Sequence, residues 1–122
     1  MTSARRSHPD CRSLHVWQEA RSLTLAAFQM VHEQEAGTPA HLALSDIHRS
    51  CLAFLSVLYH LTGTPLSDPA AIREAKRHVL RVEDLLLEAA ESGAVREDDL
   101  DLLEREIRMV RSTLREVAAL AT

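Results

Sequence analysis

Three short breaks cut this chain into four stretches of nearly equal length, and each stretch repeats apolar residues at alternating spacings of three and four. The breaks are Gly37-Thr38-Pro39, Gly63-Thr64-Pro65-Leu66-Ser67-Asp68-Pro69 and Glu91-Ser92-Gly93-Ala94-Val95. Glycine ends helices by taking a left-handed backbone, and proline suits the first turn, where its missing N–H has no partner to lose. Thr38 is placed to cap one helix, and Asp68-Pro69 to open the next. Glu97, Asp98, Asp99 and Asp101 follow the third break, where a helix N-terminus favours acids. The predicted helices span 13–35, 39–62, 69–92 and 96–120. Each is roughly 35 Å long at the usual rise per residue.

The spacing within each stretch names a core. It runs Val16, Ala20, Leu23, Ala27, Met30, then Leu44, Ile47, Cys51, Phe54, Leu58, Leu61. The third and fourth seams are Ile72, Ala75, Val79, Val82, Leu86, Ala89 and Leu100, Leu103, Ile107, Val110, Leu114, Val117. Four such seams suit helices crossing at about 20°. Equal lengths and short connections favour an antiparallel up-and-down order. The expected fold is therefore all-α, an antiparallel up-and-down four-helix bundle over 12–121, behind a flexible N-terminal tail over 1–11.

At 122 residues the chain is the size of one domain and long enough to bury a core without metals or disulfides. Its apolar content of 46% sets it apart from disordered polymers, and 3% aromatics leaves Leu, Ala and Val to fill the interior. Two cysteines are too few for a disulfide framework, so reduced thiols and a cytoplasmic location are expected. Residues 1–10 have arginines but no apolar stretch after them, unlike a signal peptide. No unbroken apolar run approaches the roughly 20 residues that cross a bilayer, and no membrane partner is expected.

A second set of apolar residues lies outside the seams. The first helix adds Trp17, Phe28 and Val31, and the second adds Leu52, Leu55 and Tyr59, near His48. The third adds Leu80 and Leu87, the fourth Leu102 and Met109. One bundle has one interior, so a second stripe either widens the core or meets a partner. The stripe is richest on the first two helices. Trp17, Phe28, Val31, Leu52, Leu55 and Tyr59 are the candidate interface between copies.

The stretch Leu14-His15-Val16-Trp17-Gln18-Glu19-Ala20 resembles the opening of the four-helix-bundle proteins encoded by 23S rRNA intervening sequences, a family that begins its first helix with Leu-x-Val-Trp-x-x-Ala. The chain is similar also to the accessory variability determinants of diversity-generating retroelements. The resemblance spans roughly residues 12 to 120 and implies a homopentamer, five bundles around one axis. That family closes its second helix with Asn-Ile-x-Glu-Gly, where this chain has Val57-Leu58-Tyr59-His60-Leu61-Thr62-Gly63. Where the family has a small-residue Ala-x-Gly-Ser turn in its third helix, Ala75-Lys76-Arg77-His78 stands here.

Little in the sequence points to catalysis. Seven histidines are present, but a di-iron bundle needs Glu-x-x-His pairs turned inward, and none occurs. His41 and His48 are seven residues apart, too far to share a metal, and no metal or other cofactor is expected. Cys51 lies on a core seam one turn after His48, an arrangement in which a small hydrophobe is commoner than a nucleophile. Three isolated glycines cannot build a phosphate loop.

Arginine offers the other signal. Arg73, Arg77 and Arg81 stack at spacings of four, and Arg108, Arg111 and Arg115 share a face of the last helix. Repeated around a ring, such stripes would make a positive surface for nucleic acid. Glu74, Glu104, Glu106 and Glu116 interleave, and the chain's net charge is -4. The expected function is a non-catalytic homo-oligomeric scaffold or binding protein. A nucleic-acid-binding accessory protein is the first alternative and a metal-dependent enzyme the second. Another protein is a further possible partner.

Overall fold

A computed structural model of the protein describes residues 11–60 and 68–120. It has four helices, α1 (Cys11–His32), α2 (Pro39–His60), α3 (Pro69–Ser92) and α4 (Glu97–Leu120). α1 packs on α2 and α4, α3 packs on α2 and α4, and the two diagonal pairs do not meet. Sequence neighbours are thus spatial neighbours and the last helix returns to the first, which is the closed square of an up-and-down bundle. The all-α four-helix architecture expected from the seams is the one that forms.

The core is the four seams. Every seam residue named above is buried except Leu61, which lies outside the described residues. Phe54, Leu23, Leu44, Ile47, Leu103 and Leu114 are the largest side chains with essentially no exposure. Two hydroxyls share this interior. Thr24 Oγ1 donates to the Ala20 carbonyl at 2.7 Å and Thr113 Oγ1 to the Met109 carbonyl at 3.1 Å, so each is satisfied by its own helix.

The helix ends follow the predicted punctuation, with small shifts. Residues 1–10 of the expected tail lie outside the described residues, and Cys11 is already helical. α1 stops at His32 rather than 35, because Gln34 N–H reaches back only three residues to the Val31 carbonyl and Gly37 turns left-handed at φ 84. Thr38 caps α2: its Oγ1 accepts from His41 N–H at 3.2 Å and donates to the Glu35 carbonyl at 2.8 Å. Pro39 follows as the first helical residue. Asp68 precedes α3 in extended backbone but makes no side-chain capping bond. Gly93 closes α3 at φ 70, its N–H on the Ala90 carbonyl. The α2–α3 break, and with it Gly63, falls in 61–67, outside the described residues.

Candidate interaction face on α1 and α2

Behind the core seams, α1 and α2 each carry a second row with the same three–four spacing. On α1 it is Leu14, Trp17, Arg21, Leu25, Phe28, His32, and on α2 it is His41, Ser45, His48, Leu52, Leu55, Tyr59. The ring centroids of Phe28 and His48 are 5.4 Å apart, so the rows meet along the outer groove between the helices. The six candidate interface residues divide in two. Trp17, Val31 and Leu55 are partly buried and pack against the core from outside. Phe28, Leu52 and Tyr59 stand 43%, 46% and 67% exposed. Leu14, Leu25 and Leu42 are also exposed on these helices, which the sequence reading did not single out. The signal for Leu14 and Leu25 was their spacing from Trp17 and Phe28.

Charge is segregated to match. α1 holds three formally charged residues and α2 only two, Asp46 and Arg49, against nine in α3 and eleven in α4. By length and composition α2 is apolar enough to cross a bilayer, although Asp46 and Arg49 interrupt its apolar residues. Only 28% of its most apolar stretch is buried inside the bundle. Ordinary surface helices bury their apolar stripe and leave charge outside. α3 and α4 surround their few exposed apolar residues with charge, whereas α2 carries only two charges outside its buried seam.

The groove concentrates histidine. Phe28 lies with its ring 4.2 Å from that of His32 and 5.4 Å from that of His48. His32 Nδ1 lies 3.2 Å from the Phe28 carbonyl oxygen. Burial lowers the His48 pKa below its ordinary 6.5, and the charge of His32 lowers it further. His41 Nδ1 accepts the Gly37 N–H at 3.4 Å.

The arginines do not form one surface. Arg81 lines a cleft between α2 and α3 with Asp46, Arg49 and His78, whereas Arg108 and Arg111 line another between α3 and α4 with Glu83 and Glu104. Arg77 pairs with Glu74 at 3.0 Å and Arg111 with Glu83 at 2.6 Å. Arg73 and Arg115 are exposed on α3 and α4. Leu80, Leu87, Leu102 and Met109 are exposed on the same two helices, scattered among charges.

Cys51 is fully buried, and burial pushes its thiol up to about 12. Its sulfur therefore stays protonated at neutral pH and behaves as a small core hydrophobe. Among the described residues, no group of three or more His, Cys, Asp or Glu is placed to hold a metal ion. Set against known proteins, the chain matches no family model, no curated protein and no solved structure.

Proposed function

We propose that the protein is a non-catalytic scaffold that assembles with copies of itself through the outer face of α1 and α2. The observation that supports this is the segregation of charge: the two helices with the fewest charges also expose a spaced apolar row. Burying that row between copies removes apolar surface from water and leaves the charged α3 and α4 in solvent. A second copy suits the face because the face itself is apolar and nearly uncharged, so two such surfaces desolvate each other without stranding charge. The number five comes from the family resemblance alone; the geometry favours only more than one.

The test is solution mass, measured by light scattering coupled to size exclusion, for the wild type and Leu52→Glu. Leu52 is exposed in the single chain, so a glutamate there leaves the bundle helical while placing a charge in the interface. Wild-type particles of several times 13.6 kDa, reduced to single chains by Leu52→Glu, are expected. A wild-type monomer overturns the proposal. The divided and partly paired arginines lend the nucleic-acid alternative no added support. Binding that weakens steeply with salt would revive it.

A further inference from the structure

Apart from Arg21 and Tyr59, the ionisable groups of the two rows on the proposed interface are histidines. His32 belongs to the α1 row, and His41 and His48 to the α2 row. The nearest formal charges are Arg21 in the α1 row, exposed Glu33 beside His32, Glu35 in the α1–α2 loop and Arg49 beside His48; side chains at adjacent helical positions point away from one another. Asp46 and Arg49 share α2 with His48 but line the cleft on its other flank, toward α3, where His78 and Arg81 stand. Glu74 is on that side too, 3.6 Å from His78. No carboxylate occupies either row, so protonated histidines there have no partner on the face.

We infer that mild acid takes the assembly apart, because protonating His32, His41 and His48 charges the apolar face through which copies associate. This rests on the self-association proposed above. The geometry gives each step a cause. The Phe28 ring touches both the His32 and the His48 rings, so both imidazoles belong to one cluster with it. The bond from Gly37 N–H needs His41 Nδ1 unprotonated. Burial already favours neutral His48 in the single chain. A second copy adds burial and acts in the same direction. A histidine with a depressed folded-state pKa contributes stability that is whole above its ordinary 6.5 and is lost as pH falls below it. Each histidine whose pKa drops by about one unit on assembly weakens that assembly about tenfold in acid.

The experiment is light scattering coupled to size exclusion at about pH 8 and about pH 5.5, with helicity followed by circular dichroism. The wild type and the triple variant His32→Gln, His41→Gln, His48→Gln are compared. The wild type should be assembled at the higher pH and fall to smaller, still helical particles at the lower. The triple variant should keep its mass at both. His32 is exposed, so His32→Gln alone preserves the fold and should shift dissociation to lower pH. An assembly of unchanged mass in acid overturns the switch alone, as does a triple variant that dissociates alongside the wild type. A wild-type monomer at pH 8 overturns self-association and the switch together.

Discussion

Phe54 is the largest fully buried side chain, and its ring lies nearly parallel to that of His78 with centroids 6.2 Å apart. Phe54→Ala should cost about 3–5 kcal/mol, read as a lower denaturant midpoint with an unchanged slope, because the neighbouring helices cannot close the space left. A loss below about 1 kcal/mol would mean the site collapses around the smaller side chain. Core membership was legible for such residues: spacing alone identifies Leu23, Ile47, Val82 and Leu114 as interior. It was not legible for Thr24 and Thr113, since their burial depends on hydroxyl bonds to their own helix that no apolar pattern records. Nor was it legible that Glu19, within the Leu14–Ala20 stretch, places Oε1 out of water with no hydrogen-bond partner. An orphaned acceptor costs about 1–3 kcal/mol. Glu19→Met keeps the aliphatic stem and removes the acceptor, so a higher melting temperature is expected, and a lower one would show that the carboxylate is stabilising.

At the scale of the element, the breaks predicted where helices begin and end because glycine, proline and a capping hydroxyl act locally. Thr38 shows it best, binding both the turn before it and the first turn of α2. Thr38→Ala should cost about 1 kcal/mol in thermal or denaturant melts. Gly93→Ala should cost about 1–2 kcal/mol for a different reason: nothing lies within 4 Å of an added Cβ, so the penalty is the left-handed backbone and not a clash. If the alanine variant melts with the wild type, the α3–α4 turn relaxes to another backbone at no cost. The end of α1 was less legible. The apolar spacing stops at Met30 and Val31, several residues short of the break at Gly37, and the backbone tightens into three-residue turns in between. Periodicity reports which face a residue takes and is silent on where the last hydrogen bond closes.

Across the whole molecule, the two halves of the bundle solve different problems. α3 and α4 have a buried seam and an exterior dominated by charge, which includes the Glu83–Arg111 pair joining them and surrounds the exposed Leu80, Leu87, Leu102 and Met109. α1 and α2 have the same buried seam but an exterior rich in leucine, aromatics, serine and histidine, with few formal charges. The sequence made this second row visible without saying which of its members support the core from outside. Trp17, Val31 and Leu55 do so because they sit nearer the seam than Phe28, Leu52 and Tyr59. The difference between the halves sets the salt dependence of association. A contact made by the apolar face carries almost no formal charge to screen, and salt strengthens apolar burial. The mass of the assembly at about pH 8 should therefore hold or rise as sodium chloride increases from about 0.05 M to about 0.5 M, where the screening length has fallen to a few ångströms. A contact made instead by the arginine-bearing faces of α3 and α4, between copies or with nucleic acid, would loosen over the same range. Light scattering across that titration separates the two: particles that shrink with salt place the interface on α3 and α4, and particles that persist place it on α1 and α2.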